Sequence, residues 1–296
     1  MFLSQLLVFV ALLTAQQLHA VEPVEIDYAR ADQREAWLRD AACGEASCDA
    51  FVHDPQPVMR GSAEMAWSVN PSLTIDRTSG AWYAYVGCYP SGYTLRPPPE
   101  HMHSRLWRSH DRGATWEALG PVLPERFTLS GVRSPITHAP DVSVIEADGR
   151  WHMAFDFVSE NSTWETAHRP TGDADGGVGY ATADKPEGPW TVQPRPLLLN
   201  SYRAAHPLAG KYGRYYATTL LRRAHDWLLL TAVDSDNHHS WGMVAATAKN
   251  PAGPWSDPVL VLSPESDQPW PTPVEFFPAF VHDGDVHAPV TSVRAN

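Results

Sequence analysis

Ser109-His110-Asp111-Arg112-Gly113-Ala114-Thr115-Trp116 is the stretch that decides the architecture of this chain. Its spacing is Ser-x-Asp-x-Gly-x-Thr-Trp. An Asp at this place hydrogen-bonds its own backbone two residues on, and the Gly accepts a positive φ. The segment therefore predicts a tight turn. Leu106-Trp107-Arg108 before it and Thr115-Trp116 after it read as the two strands of a hairpin.

The same place in the pattern recurs with different turn chemistry. Ala181-Thr182-Ala183-Asp184-Lys185-Pro186-Glu187-Gly188-Pro189-Trp190 returns as Ala246-Thr247-Ala248-Lys249-Asn250-Pro251-Ala252-Gly253-Pro254-Trp255. Seven of the ten positions match at a spacing of 65 residues. Similarity at a fixed period marks repeated supersecondary units. A second element precedes each turn: an apolar strand, a polar turn, then an aromatic strand. Leu73–Ile75 with Trp82–Val86, Val144-Ile145 with Trp151–Phe157, Thr219–Leu221 with Trp227–Ala232, and Phe280-Val281 with Val286–Val290 are its four copies.

Joining the elements predicts four-stranded units over residues 66–120, 138–199 and 215–262, with a fourth starting near 273. Four-stranded sheets repeated around a central channel make an all-β β-propeller. Each unit takes roughly 60 residues, so a five-bladed ring after an N-terminal segment outruns the chain. A last blade truncated at the C-terminus is favoured over unrecognised strands. The expected organisation is 1–20 leader, 21–65 N-terminal segment and 66–296 blades. Within the N-terminal segment, 32–40 reads as a short helix and 51–60 as a strand. Long connections at 89–104, 124–137, 160–176 and 263–272, rich in Pro, Ser, His and Asp, are assigned to the functional face.

The 296 residues are 43% hydrophobic and 19% charged, an ordinary globular balance. Net charge is −12, which disfavours nucleic acid and anionic membranes as partners and leaves neutral sugars compatible. Twelve Trp suit stacking on sugar rings, although packing between blades consumes Trp as well. Leu6–Leu13 is an apolar run of signal-peptide length, too short to span a bilayer. It predicts a secreted or periplasmic protein, although its n-region has no Lys or Arg. No later segment is apolar enough to be transmembrane. In an exported protein Cys43 and Cys48 are spaced to close a small loop, leaving Cys88 over. Three free thiols are the alternative. Asn161-Ser162-Thr163 is a glycosylation sequon, meaningful only in a eukaryotic host.

The Ser109–Trp116 turn resembles the Asp-box of sialidase-type propeller blades. The units carrying Gly188-Pro189-Trp190 and Gly253-Pro254-Trp255 resemble blades of the five-bladed glycosidases of glycoside hydrolase family 43 and its relatives. His138-Ala139-Pro140-Asp141-Val142 is similar to that family's Ala-Pro-Asp-Val segment. The resemblance spans about residues 66–296 and implies a carbohydrate substrate and a site of three carboxylates, with no cofactor. Glycosidic hydrolysis itself asks for a carboxyl that protonates the leaving oxygen and a carboxylate that activates water or attacks the sugar. By the resemblance, Asp141 matches the carboxylate that tunes the acid, and Glu275, in Pro273-Val274-Glu275-Phe276-Phe277-Pro278, matches the general acid. A strand-end Asp and a salt-bridged Glu are the structural alternatives.

The first unit departs from the family. Where its general base belongs, this chain has Asn70-Pro71-Ser72. An amide nitrogen carries no basic lone pair and takes no proton from water. Asp54 and Asp156 are weaker candidates for a base, and Asn70 is the better candidate for binding a ligand. His138 and His206 are expected near the axis, and Arg203 is a further substrate-binding candidate, with a salt bridge as its alternative. Arg222 fits either an acidic sugar or a salt bridge, and Asp234 and Asp236 either a ligand or a solvated turn. His101, His103, His238 and His239 lack the spacing of a standard zinc motif, so no metal is expected. Two rivals remain: a sialidase-like exo-glycosidase and a propeller that binds carbohydrate without turnover.

Overall fold

The computed structural model describes residues 67–89, 102–160, 176–200, 212–235, 241–262, 274–276, 280–282, 285–287 and 290–292. Among them there is no helix, and every regular element is a strand. The expected leader, the N-terminal segment with Asp54, Cys43 and Cys48, and the sequon at Asn161 lie outside the described residues.

The first sheet is a meander of four antiparallel strands, β1 (Trp67–Ile75), β2 (Trp82–Tyr89), β3 (His103–Ser109) and β4 (Glu117–Pro121). The third repeats it with β11 (Tyr212–Arg222), β12 (Trp227–Ser235), β13 (Trp241–Ala248) and β14 (Val259–Leu262). In the second sheet both outer positions are split. β5 (Ile136–His138) and β6 (Val142–Ala147) share one edge of β7 (Arg150–Ser159). β9 (Thr191–Val192) and β10 (Leu198–Leu199) share one edge of β8 (Gly176–Ala183). In the fourth unit two strand pairs are described: β15 (Val274–Phe276) pairs β18 (Val290–Ser292), and β16 (Phe280–His282) pairs β17 (Asp285–His287). The blade limits expected from sequence lie within a few residues of these.

Alternation along the strands explains how the sheets stack. On β12, Trp227, Leu229 and Val233 pack toward the second sheet, while Leu228, Leu230 and Ala232 pack with Val286 of the fourth unit. On β7, Met153, Phe155 and Phe157 join Tyr83 and Tyr85 of the first sheet, whereas Ala154 faces the third. A strand buried on both faces belongs in a stack of sheets, each side chain this size contributing roughly 1.5–3 kcal/mol on burial. Face-to-face stacking of successive four-stranded meanders is the packing of a β-propeller. Glycines set the spacing of β8: a Cβ on Gly179 would run into the Phe155 ring, and one on Gly177 into the Leu198 carbonyl.

The third-to-fourth-strand turns are where the repeats placed them. In the first, Ser109 Oγ accepts from the Gly113 N–H at 2.8 Å, and Asp111 accepts from the Thr115 N–H and hydroxyl at 2.8 and 2.6 Å. Arg112 and Gly113 have φ of 59° and 91°. Asp111 carries its charge low, at about 2, chiefly because of the Thr115 hydroxyl. In the other two, Gly188 and Gly253 both have φ of 92°, and their N–H groups bond to Lys185 and Asn250 carbonyls at 3.0 and 2.8 Å. The first-to-second-strand turn of the second sheet uses Asp148 and Gly149, with φ of 51° and 75°, the left-handed pair a two-residue hairpin needs.

Arg222 belongs to this turn end of the sheets. It bonds the carbonyls of Arg223 and Asp226, sits 3.6 Å from Asp148, and lies over the Trp227 ring. Of the two roles open to it from sequence, the salt bridge is what the fold provides. Asp234 stands on β12 opposite Trp241, and Asp236 lies outside the described residues. Cys88 is buried, and its thiol donates to the Val86 carbonyl at 3.3 Å.

Candidate functional site

Antiparallel meanders sort their connections by end. The starts of β1, β5 and β11 lie at the same end as the connections leaving β2, β7 and β12. The turns just described lie at the other end. Asn70, Asp141 and His138 belong to the first group, near the beginnings of first strands.

First strands of successive sheets are neighbours, and a hydroxyl links each to the next. The Val144 N–H donates to Ser72 Oγ at 3.2 Å, and the Leu220 N–H donates to Ser143 Oγ at 3.0 Å. The two links occupy the same place in the repeat, so Ser72, Ser143 and Thr219 are equivalent positions. Two residues upstream, Asn70, Asp141 and Ala217 are equivalent too. Asn70 and Ala217 both adopt left-handed backbone, with φ of 47° and 42°, and each lies in an irregularity of its strand pairing. Asn tolerates that conformation more readily than other non-glycine residues.

In the second sheet the irregularity is wider. The first strand breaks at Ala139-Pro140-Asp141, between β5 and β6. Sequence places Asp141 at the entrance of this strand; it instead follows an interruption, with β5 already formed ahead of it. Pro140 has no N–H to give the ladder, which is why the pairing fails there. Both flanks are nevertheless held. Ala139 donates to the Met102 carbonyl at 3.0 Å and accepts from the Ser104 N–H at 3.1 Å, borrowing the start of β3 in the first sheet. Asp141 accepts from the Asp156 N–H at 3.1 Å, and its own N–H donates to Asp156 Oδ1 at 3.1 Å.

This arrangement brings two of the expected site residues together. Asn70 Nδ2 donates to Asp141 Oδ2 at 3.0 Å across 71 residues of chain. Asn70 is exposed, whereas Asp141 is 8% and Asp156 3% exposed. His138 is buried in β5, opposite Val158. The pair thus offers a carboxyl held in place beside an accessible amide, able to accept from and donate to ligand hydroxyls.

Asp156, considered above as a base, has a carboxylate committed to a backbone N–H. Buried and so engaged, it is poorly placed to take a proton from water. The backbone of Glu275 stands in β15 opposite Thr291, and its side chain lies outside the described part. His206, Arg203, His101, His238 and His239 also lie outside the described residues. Among the described residues no group of three metal-binding side chains forms. The hydroxyl links have a sequence signal in Asn70-Pro71-Ser72 and Asp141-Val142-Ser143, which place Ser two residues after each site residue.

No known protein-family profile matches the chain, and no curated protein matches it in sequence. Solved structures do. Zg3597, a family 117 glycoside hydrolase of the marine bacterium Zobellia galactanivorans, superposes with a TM-score of 0.54 at 15% identity, covering 80% of this chain and 74% of that one. An α-L-arabinanase of Cellvibrio cellulosa superposes with a TM-score of 0.50 at 14% identity, covering 74% and 67%. At such identities the likeness is one of fold, and the chain has the β-propeller fold of these glycoside hydrolases.

Proposed function

We propose that the protein is an exported carbohydrate-active propeller that hydrolyses a glycosidic bond at the end of the sheets where Asn70 and Asp141 meet. The observation that carries this reading is their 3.0 Å hydrogen bond, joining equivalent positions of neighbouring first strands. Two proteins sharing the fold are named as a glycoside hydrolase and an arabinanase, and both names denote cleavage between sugars. The acidic balance of the chain fits a neutral glycan better than a polyanion.

In the proposed reaction Glu275 gives its proton to the leaving oxygen as the bond to the anomeric carbon breaks. A water oxygen bonds that carbon and releases its proton to a carboxylate. Asp141, kept ionised by Asn70, orients the substrate and raises the proton affinity of the acid by like-charge repulsion. Asn70 binds sugar hydroxyls. Asp54 is the proposed base.

The test is a panel of aryl pyranosides, furanosides and a sialoside with the full chain. The expected result is phenol release from one or more neutral glycosides. Glu275→Gln then lowers kcat/KM at least about 100-fold on phenyl glycosides and less on dinitrophenyl ones, whose leaving groups need no proton. Release from the sialoside alone, or undiminished activity in Glu275→Gln, overturns the assignment. The second reading is glycan binding without turnover, and the amide at Asn70 is the observation that favours it. Retention of a glycan on an array with no hydrolysis of the panel decides for it.

A further inference from the structure

We infer that Asp156 is a positioning residue for Asp141, acting through the Asp141 main chain. The inference deepens the glycan reading and rests on Asp141 being the site carboxylate. Residues Ala139-Pro140-Asp141 interrupt the first strand of the second sheet, and a break beside a site must be held if the side chain is to keep one direction. Pro140 leaves the segment without its central N–H. Ala139 is tied to β3 of the first sheet by two backbone bonds, which draws that end away from β7. Asp141 is returned to β7 at Asp156, which donates its N–H to the Asp141 carbonyl and accepts the Asp141 N–H on Oδ1, just ahead of the Val142–Phe155 pair of the ladder.

The second of these bonds is unusual for a ladder, because a side chain accepts where a backbone carbonyl ordinarily would. It therefore depends on the identity of residue 156. With its N–H caught, Asp141 keeps its carboxylate under Asn70 Nδ2. Asp156 does not touch the reacting atoms in this scheme; it sets where Asp141 points.

The test is NMR on the isotopically labelled full chain, with no sugar added. In the wild type, the Asp141 amide proton shift follows the titration of the Asp156 carboxyl. Asp156→Asn keeps an Oδ1 acceptor while removing the charge. It leaves the Asn70 side-chain amide shift and the exchange rate of the Asp141 amide unchanged. Asp156→Ala moves the Asn70 amide to its free value and speeds Asp141 exchange about tenfold or more. Equal behaviour of the Asn and Ala variants overturns the inference, as does an Asp141 amide indifferent to the Asp156 titration. That wild-type titration decides the matter even if the Ala variant fails to fold. On any aryl glycoside the protein cleaves, Asp156→Ala lowers kcat more than it raises KM, and Asn restores kcat. A panel with no turnover counts against the hydrolase reading and leaves the NMR result to decide the role of Asp156.

Discussion

At the turn end of the sheets Asp111 holds Ser109 and Thr115, residues at most four positions away; at the other end Asn70 reaches Asp141 across 71. The first kind of contact is made by a short peptide folding on itself. The second exists only when two finished sheets lie side by side. Three turns with two unrelated sequences, Ser-x-Asp-x-Gly and Gly-Pro-Trp, serve the same step from third to fourth strand, so the turn end tolerates substitution of its chemistry. The Asn70 end does not repeat: Asn70, Asp141 and Ala217 hold one equivalent position with an amide, a carboxylate and a methyl. The difference separates what closes a blade from what equips a site.

Substitutions at the two ends should therefore differ in kind. The largest effect is expected at Asp141. Asp141→Ala removes the carboxyl that Asn70 holds and lowers turnover or glycan retention at least about 100-fold, with the far-UV spectrum unchanged. Full activity in that variant would place the site elsewhere. Next is Ser143→Ala, which strips the acceptor from the buried Leu220 N–H between two sheets. It costs about 1–3 kcal/mol in urea unfolding and leaves glycan affinity within a few-fold.

Asn70→Asp sharpens the contrast further. Two carboxyls about 3 Å apart cannot both ionise freely, so one is raised above its unfolded value of about 3.9. A raised acid is neutral without cost below that value. The variant should match wild-type stability near pH 4 and fall behind it as pH rises toward 7, by about 1 kcal/mol given the exposure of residue 70. A pH-independent difference would show that residues 70 and 141 do not couple. The smallest effect belongs to Asp111. Its carboxylate sits at about 2, below the unfolded value, so its contribution is complete above about pH 4 and lost as pH falls through about 2. Asp111→Asn should flatten that part of the acid-unfolding curve and leave sugar binding untouched.

His152 gives the fold a second pH handle at the interface of the second and third sheets. It bonds the Tyr180 hydroxyl at 2.6 Å and the Ala147 carbonyl at 3.1 Å, and burial lowers its proton affinity. Because the folded value lies below the unfolded one, its contribution is complete above about pH 6.5 and declines below it. Replacing it with Gln should make stability less dependent on pH between about 5 and 7 in thermal unfolding.

Much of the fold is legible in the chain because its units repeat. Alternation in Trp82–Val86 or Trp227–Ala232 marks a strand, and Asp148-Gly149 marks its turn, whatever surrounds them. The split of the second sheet's first strand was less legible. Ala139-Pro140-Asp141 reads as a strand entrance until Ala139 is seen paired with β3 of the neighbouring sheet. The candidate site was legible as residue types at matching places in the repeat. It was not legible as contacts: Asp156 looked like a spare acid, and only its bond to the Asp141 N–H shows what its carboxylate faces.

The sequence by itself determined the hairpins, their order and the blade phase, because each rests on contacts within a few residues and on a two-residue alternation. The tertiary structure decided the rest. It placed Asn70 against Asp141, gave Ser72 and Ser143 their backbone partners, and put Asp156 behind the break at Pro140. Those pairings depend on how one sheet stacks on the next, and close packing of Phe155, Tyr85 and Trp227 across the sheets is what sets that registry.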